Sequence, residues 1–250
     1  LIQLKMMQEV LKMHQSGQLD LAETLYKKLL NDLPEDTVLL TNFGTLQFQK
    51  KKLNNGIKII EKSLKIDPNQ PNALNNLGVV FLELNRPDAA LIRFDSAINF
   101  QVKYAEAHAN RGNALKDLNR PQEALESYDR AISINSGYAK AYSNKGNALK
   151  DLNRLTEAIE SYDRAIVLMP KYANAFSNRG DALKELNQIE QAIESYDYAI
   201  ALNPNIDFIL GESLSAKMSL CIWDDLSNSI SEIKAKTSNN EKATTPFRML

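Results

Sequence analysis

The sequence predicts an all-α protein, a right-handed solenoid built from stacked helical hairpins. Two observations favour this fold. A glycine recurs with a spacing of 34 residues, at Gly44, Gly78, Gly112, Gly146 and Gly180, and a fixed period of this length is typical of repeat architectures. Around each glycine, apolar residues follow the three-and-four spacing of amphipathic helices. A single hairpin cannot bury both of its faces, so consecutive hairpins are expected to stack.

The first helix of each repeat, helix A, contains the recurring glycine. In residues 139–172, Ala141, Gly146 and Leu149 share one helical face. The segment Asp151-Leu152-Asn153-Arg154 follows and predicts the turn, because asparagine tolerates the left-handed conformation that ends a helix. In two repeats a proline comes next, at Pro87 and Pro121, which suits the first turn of the following helix.

The second helix, helix B, has two recurring positions. Small residues stand twelve residues after each glycine, at Gly56, Ala90, Ala124, Ala158 and Ala192. Bulky residues follow four positions later, at Ile60, Phe94, Tyr128, Tyr162 and Tyr196. We interpret the small residues as the points where the two helices approach closely. The bulky residue is expected to fill the space towards the neighbouring repeat.

This frame resembles the tetratricopeptide repeat (TPR). The units are predicted at 37–70, 71–104, 105–138, 139–172 and 173–206, preceded by a divergent unit at 3–36 in which Val10 replaces the glycine. A seventh hairpin is predicted from a helix A at 207–220 and a helix B at 223–236. Residues 237–245 have the composition of a loop, and 246–250 form an apolar end. With no initiator methionine, the chain is expected to be a fragment that continues into a further domain.

Composition limits the partners. The 250 residues have a net charge of −1, which argues against a nucleic-acid ligand because phosphate binding needs a basic surface. The one basic run, Lys50–Lys52, is expected to be a solvated helix end. No apolar run is long enough to span a membrane. A single cysteine permits no internal disulfide and fits a reducing compartment, so we expect a cytoplasmic protein. A homo-oligomer is left open.

The sequence offers no catalytic constellation. His14 and His108 lie in different units, and His108 takes a packing position that other units fill with Leu74, Tyr142 and Phe176. Cys221 has no histidine near it in sequence and is expected to be a buried thiol. No phosphate-binding loop or metal-ligand spacing occurs. We therefore expect neither enzymatic activity nor a cofactor nor a metal in this chain.

The candidate binding residues recur on helix A. Two positions before each glycine stands an asparagine, and we call this set the amide ladder: Asn42, Asn76, Asn110, Asn144 and Asn178. One turn further lie Asn113, Asn147 and Asp181, and beyond them a row of lysines, Lys116, Lys150 and Lys184. An amide can pair with a peptide backbone irrespective of its side chains. The alternative is that the ladder braces the packing between repeats.

The unbroken amide ladder resembles the TPR region of O-linked N-acetylglucosamine transferases, which implies a groove that holds extended polypeptides. The segment Cys221-Ile222-Trp223-Asp224-Asp225-Leu226, with the later Pro246–Leu250, resembles the junction to the catalytic region in that family and its SPINDLY-like relatives. The carboxylate clamp of chaperone-binding TPRs does not fit, because Ala109, Asn174 and Asn178 occupy its basic positions. The two hypotheses are therefore the substrate-recognition arm of a glycosyltransferase and a free-standing scaffold for a multiprotein complex.

Overall fold

The computed structural model describes residues 2–206, 208–222, 230–231 and 233–236, and all regular structure within them is helical. The helices are α1 (Ile2–Gln15), α2 (Leu19–Asp32), α3 (Thr37–Gln49), α4 (Leu53–Ile66), α5 (Pro71–Glu83), α6 (Pro87–Phe100), α7 (Ala105–Asp117), α8 (Pro121–Ile134), α9 (Ala139–Asp151), α10 (Leu155–Leu168), α11 (Ala173–Glu185), α12 (Ile189–Leu202) and α13 (Ile209–Ser219). The predicted all-α solenoid of helical hairpins is confirmed.

The chain divides into two compact units, Leu1–Leu118 and Asn119–Leu250. In the first unit, α3 packs on α4 and α5 on α6 as hairpins, while α6 also contacts α7. In the second unit, α9 pairs with α10 and α11 with α12, and contacts of α8 with α9, α10 with α11 and α12 with α13 join successive hairpins. Within each unit, therefore, hairpins stack on one another as the period predicts.

The recurring glycine and the bulky residue of helix B form the centre of each hairpin. A Cβ atom on Gly146 would lie 2.5 Å from a ring carbon of Tyr162, and one on Gly78 would lie 2.5 Å from the ring of Phe94. Tyr162 is fully buried. The ring thus packs against helix A of its own hairpin, a contact that the sequence did not predict, while Phe94 also belongs to a core cluster with Ala114 of the next repeat, as predicted. The reason is steric, since only glycine leaves room for an aromatic ring at this distance.

The turn between helices A and B has a left-handed residue in successive repeats, as Asn153 led us to expect. Positive φ angles occur at Lys51, Asn85, Asn119, Asn153, Asn187 and Cys221, all spaced by the same period. In the 139–172 repeat the amides of Asn153 and Arg154 donate to the carbonyls of Lys150 and Leu149, at 2.8 and 2.9 Å. These bonds close the end of α9.

Cys221 stands at this turn position, and its side chain is exposed. The expectation of a buried thiol is therefore wrong. The left-handed turn residue projects away from the helix pair in each repeat, and Asn85, Asn119, Asn153 and Asn187 are likewise solvent-exposed. This thiol is exposed because it stands at the turn position of the repeat, although a thiol is apolar enough to be buried elsewhere.

Lys50 also departs from expectation. Only 17% of its side chain is exposed, and its Nζ lies 2.5 Å from a carboxylate oxygen of both Asp20 and Glu23. It is therefore an ion-pairing residue between the end of α3 and α2, and not a solvated helix end. Hydrogen bonds from Lys27 and Lys50 hold the pKa of Glu23 at about 2. The rest of the basic run is more exposed, with Lys52 Nζ 3.4 Å from Glu23.

The C-terminal predictions are only partly covered by the structure. Helix α13 lies within the helix A predicted at 207–220. Of the helix B predicted at 223–236, only residues 230–231 and 233–236 are described, and they are helical. The proposed junction residues from Trp223 to Leu226, the loop at 237–245 and the apolar end at 246–250 lie outside the described residues. No helix in the described ranges is long and apolar enough to cross a membrane.

Candidate functional site

The predicted binding residues all lie on helices of type A. The amide ladder places one asparagine on each of α3, α5, α7, α9 and α11, and all five are half-buried. The second row, Asn113, Asn147 and Asp181, and the lysines Lys116, Lys150 and Lys184 are half-buried as well. Each residue type therefore stands at the edge of the packed core with part of its surface open to solvent.

In the second unit, the ladder asparagine of α11 forms a hydrogen bond with the preceding repeat. Nδ2 of Asn178 donates to Oδ1 of Asn147 at 2.9 Å. The same oxygen accepts a second hydrogen bond from the hydroxyl of the buried Tyr162 at 2.8 Å. Burial is the main reason why the pKa of Tyr162 lies above its usual range, so the hydroxyl stays protonated and donates. The core tyrosine thus orients the amide that receives Asn178.

Asp181 repeats this arrangement one repeat later. Its Oδ1 accepts from the hydroxyl of Tyr196 at 2.9 Å, and its Oδ2 lies 3.5 Å from Nζ of Lys150. Tyrosine at the bulky position of helix B therefore supports the second row of candidate residues. The sequence alone did not reveal this link, because it joins helix B to helix A through a hydroxyl whose direction depends on packing.

In the first unit the same brace uses different acceptors. Nδ2 of Asn76 donates to Oγ1 of Thr45 at 3.1 Å. Asn110 would find Val79 at the equivalent place, which offers no acceptor, and its Nδ2 instead donates to Oδ1 of Asn75 at 3.0 Å. Asn76, Asn110 and Asn178 therefore brace consecutive A helices through one of their donor groups. The side-chain oxygens of these three asparagines accept no hydrogen bond from the described residues.

The lysine row is ion-paired in the second unit. Lys150 faces Asp181, and Lys184 forms a salt bridge with Glu212. Glu212 stands 34 residues after Asn178 and so occupies the next position of the ladder. In the first unit Lys116 has no ion-pairing partner among the residues that the structure describes. The basic row is therefore not a continuous cationic surface.

An open groove lies between the A helices of the second unit. A cavity of about 260 Å³ is bounded by Lys150, Ser177, Asp181, Lys184, Phe208 and Glu212. The structure thus brings three of the predicted site residues together in one groove. Sequence reasoning missed Ser177, Phe208 and Glu212. Glu212 could have been found by extending the period beyond Asn178. Phe208 stands 34 residues after Asn174 in the same way, but it is aromatic where the three preceding repeats have polar residues.

The chemistry available in this groove is that of hydrogen bonding and charge pairing. Nε2 of His108 lies 3.0 Å from the backbone carbonyl of Val102, and His108 is buried as the packing prediction required. His14 contacts the hydroxyl of Tyr26 through Nδ1 at 3.1 Å, and burial lowers its pKa. Within the described part of the chain, no group of His, Cys, Asp or Glu side chains has the arrangement of a metal site.

Comparison with known families identifies the repeat. Models described as a TPR repeat or a tetratricopeptide repeat match residues 38–70, 59–92, 105–138, 146–186 and 173–206. Among curated proteins, no sequence matches the chain.

Solved structures share the fold. A crystal structure of MamA is 25% identical, with a TM-score of 0.59 over 64% of this chain and 94% of that one. A crystal structure of YrrB, described as a TPR protein with an unusual peptide-binding site, is 24% identical, with a TM-score of 0.61 over 77% and 97% of the two chains. A tetratricopeptide repeat protein from Parabacteroides merdae is 18% identical, with a TM-score of 0.74 over 94% and 92%.

Proposed function

Since this chain is built of tetratricopeptide repeats, we propose that its A-helix groove binds an extended polypeptide. The observation that carries the proposal is that three ladder asparagines, Asn76, Asn110 and Asn178, use only one end of the side-chain amide within the described chain. Nδ2 braces the next helix. By contrast, the Oδ1 atoms of Asn76, Asn110 and Asn178 accept no hydrogen bond from the residues that the structure describes.

The spacing of these acceptors suits an extended chain. Packed helices lie ~8–10 Å apart, and an extended peptide rises ~3.3 Å per residue. Within one unit, as for Asn76 and Asn110 on the neighbouring helices α5 and α7, one ladder oxygen would therefore meet a backbone N–H at roughly every third residue of the ligand. An acceptor that bonds to the ligand's backbone does not contact the ligand's side chains. The residues that would discriminate between different ligand side chains lie at the end of the groove and are Phe208, Lys184 and Glu212.

The similar proteins support an interaction module. YrrB is described as having a peptide-binding site, and the ladder offers this chain a means to bind a peptide in the same class of fold. None of the three compared structures is described as a glycosyltransferase. The narrower proposal, the substrate-recognition arm of an O-GlcNAc transferase-like enzyme, rests on the unbroken ladder and the sequence around Cys221.

A free-standing scaffold in a multiprotein complex accounts for the groove equally well. The coding sequence beyond Leu250 separates the two versions, because a nucleotide-sugar-binding domain there favours the first and a stop codon the second. The lone cysteine fits a cytoplasmic location for either version.

The groove assignment is tested by site-specific photo-crosslinking. A photoreactive amino acid at Ser177, which lines the groove, should crosslink a 12-residue peptide selected by display against the wild-type chain. The matched control carries the same amino acid at Glu160, an exposed residue of α10. Crosslinking from Ser177 but not from Glu160 supports the proposal. Crosslinking from Glu160 alone would place the ligand on the B helices and overturn it.

A further inference from the structure

A second groove lies on the B-helix side of the first unit, between α4 and α6. Its cavity has a volume of about 530 Å³ and is bounded by Ile57, Lys58, Glu61, Phe81, Arg86 and Arg93 among others. The guanidinium carbon of Arg86 lies 4.9 Å from the centroid of the Phe81 ring, and that of Arg93 lies 6.0 Å from it. Two arginines thus flank one aromatic ring at the wall of the groove.

Comparison with later repeats shows why Arg86 is available. At the same position, Arg120 donates from Nε to Oε1 of Glu123 at 2.6 Å, and Arg154 donates to Glu157 at 2.7 Å. The residue three positions after Arg86 is Ala89. With no carboxylate there, Arg86 forms neither an ion pair nor a hydrogen bond through its side chain with any described residue.

Other residues that line or flank this groove also differ from those at the same positions of later repeats, and the differences again make the groove more basic. Arg93 stands where later repeats have the buried serines Ser127, Ser161 and Ser195. Phe81 replaces the buried leucines Leu115, Leu149 and Leu183. Lys58 and Ile92 take the place of glutamates found at Glu126, Glu160 and Glu194. A helix face that is acidic in later repeats is therefore basic here, with three cations and one carboxylate around the cavity.

We propose that this groove binds an acidic peptide segment of a partner protein. A guanidinium group forms a two-pronged pair with a carboxylate, and Arg86 and Arg93 have no such partner within the described chain. Ile57 lines the cavity, and Ile92, which is 62% exposed, offers apolar contact beside it. A nucleic acid fits less well, because the chain as a whole has a net charge of −1. This site is separate from the A-helix groove.

Fluorescence anisotropy with a labelled peptide, Glu-Glu-Leu repeated four times, tests the proposal. The Gln-Gln-Leu peptide of the same length is the ligand control. Ala89→Glu should give Arg86 the internal partner that Glu123 gives Arg120, and Arg93→Ser restores the residue of the later repeats. Each change makes the repeat more like its neighbours, so the fold is retained. Each should weaken binding of the glutamate peptide roughly tenfold or more, as expected for loss of a charge-assisted contact.

Arg154→Ala is the matched control, since it removes an arginine at the same repeat position that is already paired with Glu157. Its affinity for the glutamate peptide should equal that of the wild type. Failure of the glutamate peptide to bind, or binding unaffected by Ala89→Glu and Arg93→Ser, would overturn the proposal. So would tighter binding of a single-stranded oligonucleotide through the same arginines, or self-association of the chain in sedimentation that Arg93→Ser abolishes.

Discussion

Asn178 donates a hydrogen bond from Nδ2 to Oδ1 of Asn147, a residue 31 positions earlier on the preceding A helix, at a distance of 2.9 Å. The same oxygen accepts from the core residue Tyr162. The groove surface and the hydrophobic core are therefore joined at one atom. A side chain held in this way is oriented before any ligand arrives, which lowers the entropy that binding must overcome.

The hydrogen bond from the Tyr162 hydroxyl to Asn147 can be removed without changing the ladder. Tyr162→Phe deletes the hydroxyl that donates to Asn147 and should lower the free energy of unfolding by about 1 kcal/mol, the usual contribution of such a bond. Tyr142→Phe is the control, because the Tyr142 hydroxyl has no hydrogen bond to a described residue. Urea unfolding followed by circular dichroism measures both. Equal stability of the two variants would show that the bond to Asn147 contributes nothing.

The close approach of the two helices predicts a steric effect at Gly146. A Cβ there would lie 2.5 Å from the Tyr162 ring, so Gly146→Ala forces the ring or the helix to move and should cost about 1–3 kcal/mol. In Gly137→Ala the added Cβ meets only Asn135 Oδ1, at 3.4 Å, and should change stability by less than about 0.5 kcal/mol. Thermal and urea unfolding compare the pair, and a neutral Gly146→Ala would mean that the hairpin is less tightly packed than described.

Asn153 holds the left-handed turn with a φ of 57°. Asn153→Ala should destabilise the second unit by about 1 kcal/mol, because a Cβ without a compensating polar group disfavours this conformation. Asn153→Gly should be nearly neutral, since glycine adopts it freely. The urea midpoints of the two variants give the comparison. An alanine variant as stable as the glycine variant would indicate that the turn adopts another conformation in solution.

The fold followed from the sequence because its signals are local. Gly146 and Ala158 mark the helix contact within one repeat, and Asn153 marks the turn between them, so spacing alone predicted the hairpin. The identity of residue 162 predicted a buried ring, but not its contact with helix A of the same hairpin, because the direction of a ring depends on which neighbour leaves space. The glycine of the same hairpin does so.

The site was harder to predict because its side chains choose partners about 30 residues away. Asn76 and Asn110 occupy the same position in their repeats, yet Asn76 donates to Thr45 and Asn110 donates to Asn75. The difference arises because the residue 31 positions earlier is an acceptor, Thr45, for Asn76 but the apolar Val79 for Asn110. Lys50 was similarly misjudged, since its carboxylate partners lie on α2. Substitutions against the repeat, such as Ala89 and Arg93, were visible in the sequence, but only the structure showed that they line the same cavity.

Glu23 predicts a pH dependence of the first unit. Its pKa in the folded chain is about 2, below the ordinary value of 4.5, chiefly because of hydrogen bonds from Lys27 and Lys50. A depressed pKa means that ionised Glu23 stabilises the fold above about pH 4.5 and that this contribution is lost as the pH falls towards 2.

Glu23→Gln should therefore be less stable than the wild type at pH 7, with the difference shrinking on acidification. Thermal unfolding at intervals between pH 7 and pH 2 follows the difference. A constant difference across that range would show that the carboxylate is not held ionised by its lysines.

We propose that the amide ladder contacts a polypeptide in the A-helix groove, and this contact can be tested directly. Replacing Asn110, Asn144 and Asn178 together with alanine removes three such contacts, each worth ~0.5–1.5 kcal/mol. The triple variant also loses the braces of Asn110 and Asn178, so some loss of stability is expected with it. Tyr162→Phe supplies the control, because it weakens the support of Asn147 without removing a ladder amide.

The decisive measurement is titration calorimetry of a display-selected 12-residue peptide with the wild type, the triple variant and Tyr162→Phe, at a temperature where all three are folded. We expect the triple variant to lose roughly 10- to 1000-fold in affinity, while Tyr162→Phe stays within a few-fold of the wild type. Unchanged affinity of the triple variant together with a lowered melting temperature would contradict this expectation and show that the ladder only braces the repeats.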